Sequence, residues 1–223
     1  MDEEEGRRLW HAAQKGHILS PWPVTTLEWK FKALSVAAWN DEGAFVAELA
    51  RTIGAPLYRF TNRPLVISAT HGSNSAASAL LEANACVNAS FPLIRGVGTT
   101  LMCAAWCGHV STVQLLLDAK AHVNGAWFHF SKPLCTAAEA GHVPVVQLLL
   151  NTGAEVDESD RDGRTPLNCA CTYGHAPVVA LLLQAKACVG ICDFKGRSPL
   201  ACASLQGHAS VVALLQNEQG GRA

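Results

Sequence analysis

The sequence predicts an all-α solenoid of helix–turn–helix units about 33 residues long, joined by short hairpin-like turns. Three observations carry that reading. Leu101, Leu134, Leu167 and Leu200 stand 33 residues apart. The pairs Gly108-His109, Gly141-His142, Gly174-His175 and Gly207-His208 keep the same spacing. An apolar run follows each pair, as in Val145 to Leu150 and Val178 to Leu183, with the pattern of one amphipathic helix.

Taken in order, the units begin with a degenerate terminal repeat at 1–33, where Leu9 to His17 reproduces a first helix and its Gly-His. Its second helix is interrupted by Pro21 and Pro23, because proline removes a donor and clashes in a helix interior. A repeat at 34–60 carries helices at Leu34 to Asp41 and Phe45 to Ala50. The next, at 61–93, has Leu65 seven residues before Gly72 and a second helix from Ser75 to Leu81. It is offset by 36 residues from its successor, and the three extra residues are expected in a connecting loop, Ala89 to Gly98. Regular repeats follow at 94–126, 127–159, 160–192 and 193–219. In the last, Gln216 replaces the third leucine of the apolar run, which predicts a polar capping helix with disorder after Glu218 and a tail at 220–223.

Each regular unit can be read chemically. Thr165 is a good N-cap with Pro166 in the first helical position, and Ser198 with Pro199 repeats the arrangement. Ala104, Ala137, Ala170 and Ala203 are small enough for neighbouring helices to lie close. The glycine of each Gly-His supplies the left-handed residue that ends the first helix. Pro144 and Pro177 then open the second helix, and turns at Asp160 to Gly163 and Asp193 to Gly196 lead onward.

These residues resemble the ankyrin repeat, whose pattern runs Asp-x-x-Gly-x-Thr-Pro-Leu-His-x-Ala-Ala-x-x-Gly-His, then an apolar helix and Gly-Ala-Asp-Val-Asn. The best copy, Asp160 to Asp193, holds Gly163, Thr165, Pro166, Leu167, Ala170, Gly174 and His175. The resemblance covers 34–219 well and the first unit loosely. Departures are Trp127 to Phe130 in place of one turn, Asn168 in place of the motif histidine, and Lys120 and Lys186 where glycine is usual.

The resemblance implies a protein-interaction module that grips a partner with its concave groove and turn fingers, with a substrate-recruiting adaptor of a ubiquitin ligase or other enzyme complex as the alternative. It places Trp39, Trp106 and Tyr173 at groove positions, and Trp127, Phe128, Phe130 and Phe194 in the fingers. Because Trp, Tyr and Arg dominate binding hot spots, the candidate contacts are Trp39, Trp106, Tyr173, Trp127, Phe128, Arg161 and Phe194. Trp127 to Phe130 could equally fold onto the neighbouring repeats as local core. The family's asparaginyl hydroxylation further suggests Asn88 and Asn124, each preceded eight residues earlier by Leu80 or Leu116. The alternative is that both asparagines simply cap their turns.

Composition narrows the rest. Lys plus Arg number 17 against 18 Asp plus Glu, so the global basic field that drives nucleic-acid binding is lacking. The acidic start and short aliphatic runs predict no targeting segment and no membrane span, hence a soluble chain in the cytoplasm, with the nucleus possible; it is expected to be monomeric. Nine cysteines, an odd count on a long chain, fit reduced thiols packed in the core, although Cys107, near the end of a first helix, could instead be exposed and reactive.

The four periodic histidines invite a metal reading, but zinc ligands converge at about 2 Å while equivalent positions of stacked helices lie about 8–10 Å apart. The family instead places this histidine in turn hydrogen bonds. No catalytic motif or phosphate loop is present, so neither enzyme activity nor a cofactor is expected.

Overall fold

A computed structural model describes residues 27–53, 62–93, 96–125 and 132–220. These residues form helices α1 (Leu27–Trp39), α2 (Gly43–Ile53), α3 (Asn62–His71) and α4 (Asn74–Glu82), then strands β1 (Ser90–Leu93) and β2 (Gly96–Thr99). Helices α5 (Thr100–Cys107), α6 (Val110–Asp118), α7 (Pro133–Ala140), α8 (Val143–Asn151), α9 (Pro166–Tyr173), α10 (Ala176–Gln184), α11 (Pro199–Leu205) and α12 (Ala209–Gly220) complete the chain. Paired helices at the 33-residue period, with almost no strand, make this an all-α repeat solenoid. None of the described helices is long and apolar enough to cross a membrane.

The chain divides into two compact units, one running to Ser68 with Ser73–Cys86, the other formed by Ala69–Gly72 with Val87 onward. In the first, α1 packs on α2 and α2 on α4 around the buried Leu34, Ala38, Val46 and Leu80. Asp41, at φ 58°, stands where regular repeats have their helix-ending glycine. Its carboxylate accepts from the Ala76 backbone N–H at 2.9 Å, which helps this residue to hold a left-handed conformation.

In the second unit the first helices stack in the order α5, α7, α9, α11, and the second helices in the order α6, α8, α10, α12. Ala104, Ala137, Ala170 and Ala203 are fully buried, so the first helices approach across methyl groups. Leu116, Leu149, Leu182 and Leu215 are fully buried on the second helices, each worth about 1.5–3 kcal/mol of transfer free energy. N-caps form as the sequence requires. Thr99 accepts from Met102 N–H, Thr165 from Asn168 N–H, and Ser198 from Ala201 N–H. Asn168, which departs from the motif, completes a capping box by accepting the Thr165 N–H at 3.1 Å.

Three expectations are corrected. The segment expected as a loop at Ala89 to Gly98 instead contains an antiparallel ribbon pairing Ser90 with Thr99 and Leu93 with Gly96. Its proline and glycines read as turn signals, yet an isolated two-stranded ribbon is all edge and tolerates both. Helix α1 begins at Leu27, ahead of Leu34, where the sequence pattern starts it. No proline or glycine lies between Pro23 and Gly43 to stop it earlier. Helix α12 runs to Gly220 rather than ending at Glu218. Gln216, Asn217 and Glu218 are polar but do not end the helix, since glutamine and glutamate are good helix formers.

Candidate functional site

Each turn between first and second helix is fastened to the preceding repeat by the residue after its glycine. His142 Nε2 contacts the Trp106 carbonyl at 2.8 Å, His175 that of Glu139 at 3.0 Å, and His208 that of Thr172 at 3.1 Å. His109 makes the same contact to Thr70 at 3.0 Å. In the first unit Ser73 stands in the histidine position, and its hydroxyl donates to the Trp39 carbonyl at 3.3 Å. The imidazoles also cover the preceding glycines. A Cβ on Gly108, Gly141 or Gly174 would lie 2.5–2.7 Å from the next histidine ring. The glycine is therefore required twice, by its positive φ and by the ring against it. Each histidine is committed to a separate carbonyl, and no metal-binding cluster of His, Cys, Asp or Glu occurs among the described residues.

This ladder fixes the ends of the first helices, where the candidate contacts lie. Trp106 is 46% exposed and Tyr173 44% exposed. The Tyr173 hydroxyl donates to Glu139 Oε1 at 2.8 Å, and its ring stacks near-parallel on His175 at a centroid distance of 6.3 Å. Glu139 is nearly buried and accepts from Arg164 at 3.3 Å. Arg164 is in turn clamped by Asp160, which takes its Nε at 2.9 Å. The aromatic ring is thus held by a chain of polar contacts that begins in the connector leading into its own helix. One period later the clamp recurs as Asp193 and Arg197, with Arg197 Nε at 2.8 Å. Burial alone would raise the Asp193 carboxyl, but hydrogen bonds from Arg197 and the Lys195 and Arg197 backbones hold it below the ordinary carboxylate range.

The finger residues are also accessible. Arg161 is exposed, and Phe194 is 79% exposed while its ring rests on Gly163 and its N–H donates to the Asp162 carbonyl at 2.9 Å. Trp39 is exposed and belongs to the first unit. Trp127, Phe128 and Phe130 lie outside the described residues.

Asn88 bridges to the following turn, donating to the Lys120 carbonyl at 3.0 Å and accepting from His122 N–H at 2.8 Å. Asn124 accepts from Glu155 N–H at 3.0 Å, and Asp157 does the same for Cys188 at 2.9 Å.

Two contributors escaped the sequence reading. Leu205, 68% exposed, and Glu139 occupy the same register as Trp106. The period alone could have located both, but a search keyed on aromatics passed over them. Cys107, for which an exposed and reactive thiol is the alternative to core packing, is half-buried, and burial raises its thiol above the ordinary range, the opposite direction from an activated thiol. Burial likewise pushes Cys103 and Cys171 up to about 12.

The family model for ankyrin repeats (3 copies) matches residues 31–126 and 134–222. No curated protein matches the chain.

Proposed function

Because the chain belongs to the ankyrin-repeat family, whose repeats are generally protein-interaction modules, we propose that it acts by binding another protein. The contact surface in the second unit comprises the ends of the first helices and the neighbouring fingers. Trp106 and Tyr173 are its anchors, with Arg161 and Phe194 on the fingers. Trp39 takes the corresponding place in the first unit.

The single observation that carries this reading is the pair of large aromatic rings left nearly half exposed, of which Tyr173 is held by Glu139 and by its stacking on His175. A ring already fixed by its neighbours loses little conformational freedom when a partner covers it, which is the character of a hot spot. Proximity labelling in cells identifies the partner. Trp106→Ala should then weaken its binding by about 2 kcal/mol or more, while circular dichroism shows the fold retained. Undiminished binding by the variant would remove Trp106 from the interface.

Asn88 and Asn124 are proposed sites of asparaginyl hydroxylation. Both side chains are engaged with the following turn, so modification requires that turn to open locally. Mass spectrometry of protein from oxygenated cells should find the mass of one oxygen added at either residue. Its absence at both, with a hydroxylase present, leaves them as turn residues only.

A further inference from the structure

Charge is distributed very unevenly over the second unit. Its eight helices, α5 to α12, contain only three formally charged residues, Asp118, Glu139 and Glu218. Asp118 and Glu218 lie at the helix ends far from the helix–helix turns, and Glu139 is nearly buried against Arg164 and Tyr173. The connectors between repeats, by contrast, expose Lys120, Glu155, Arg161, Asp162, Lys186 and Lys195. The histidine ladder aligns the four helix–helix turns along one edge, while the side-chain bridges from Asn124 and Asp157 align the connectors along the other. Helices of about eight residues separate the two edges by roughly 12 Å.

Among the described residues, the turn edge exposes no Asp, Glu, Lys or Arg. Trp106, Val110, Tyr173 and Leu205 are its exposed large apolar and aromatic residues, with Pro144 and Pro177 exposed between them. Its imidazoles are engaged with carbonyls and the Tyr173 hydroxyl with Glu139, and its exposed polar residues, Ser111, Ser204, Gln206 and Ser210, are uncharged. A charged ligand group placed here would lose its water and meet no opposite charge, whereas an aliphatic or aromatic side chain would gain by burial.

Resting on the protein-binding reading above, we infer that the turn edge formed by Trp106, Val110, Tyr173 and Leu205 docks an uncharged polypeptide segment bearing aliphatic and aromatic side chains. Four turns at about 10 Å spacing extend over roughly 30 Å, the reach of about nine extended residues. The charged connector edge is left to interactions of another kind.

The test is selection of a random peptide library, of lengths near that span, on the full chain. Selected peptides should be depleted in Asp, Glu, Lys and Arg, and their affinity should change little between low and high salt. Leu205→Asp and Val110→Asp, both at exposed positions, should each weaken binding at least about tenfold with the circular dichroism spectrum unchanged. Glu155→Ala and Lys195→Ala, exposed on the connector edge, should leave it unchanged. A charged or salt-sensitive consensus, or one lost in these connector variants alone, overturns the inference while leaving protein binding intact. Failure to select any peptide overturns it too. So does Leu205-dependent sedimentation with phosphatidylcholine vesicles, which would make the edge a lipid surface.

Discussion

Gly141 and Gly207 share a left-handed conformation, φ 78° and 76°, but only Gly141 lies beneath a following imidazole. Alanine at either site meets a backbone penalty of about 1–2 kcal/mol, and at Gly141 it must also displace His175. Gly141→Ala should therefore destabilise by about 1 kcal/mol more than Gly207→Ala in urea titrations. Equal effects would mean that the ring contact contributes nothing. Lys186, at φ 68°, shows the converse, a side chain where glycine fits better. Lys186→Gly should raise stability by up to about 1 kcal/mol, since relief of the left-handed backbone outweighs the added freedom of the unfolded chain. Asp193 supplies a pH dependence. Its folded pKa is depressed, so its contribution is complete above the unfolded carboxylate value of about 4 and is lost as pH falls through the lower folded value. Thermal unfolding of Asp193→Asn should show a shallower loss of stability on acidification than the parent chain.

The informative element is helix α7, which presents Glu139 to both Arg164 and Tyr173. The period places a tryptophan, a glutamate, a threonine and a leucine at this one register, Trp106, Glu139, Thr172 and Leu205. Fixing Tyr173 is thus a property of one repeat junction. Glu139→Ala leaves Arg164 paired with Asp160 but removes the acceptor of the Tyr173 hydroxyl, and should cost about 1–3 kcal/mol in denaturant unfolding. If Tyr173 serves as a binding anchor, the same variant should weaken partner binding without touching the partner. The ribbon β1–β2 belongs to this scale as well. The three extra residues that the period exposes fall within the segment that forms it, but whether such a segment pairs with itself or wanders depends on backbone hydrogen bonds that no periodicity encodes.

Across the whole molecule the nine cysteines are all free, and burial sorts them. Iodoacetamide should label the exposed Cys86, Cys188 and Cys192 in the folded protein and spare Cys103, Cys135, Cys169, Cys171 and Cys202 until it unfolds, as peptide mass spectrometry would register. Labelling of Cys135, whose thiol is held protonated by its hydrogen bond with Cys169 and by burial, would mean that the junction between α7 and α9 opens. The sequence by itself determined the repeat, its period and, in the regular repeats, the helix-ending glycines and the Thr165 and Ser198 caps. Those features rest on local chemistry: a proline in the first turn, a threonine before it, a glycine that alone tolerates the left-handed ending. The resemblance its residues carry also offered Trp106, Tyr173 and Phe194 as candidate contacts. Only the tertiary structure decided that each histidine is bound to the repeat before it, that Glu139 holds Tyr173, that Cys107 is shielded, and that Leu205 stands in the open. Each of those depends on a neighbour 30 or more residues away in the chain or on burial between stacked helices, and a local pattern carries no information about either.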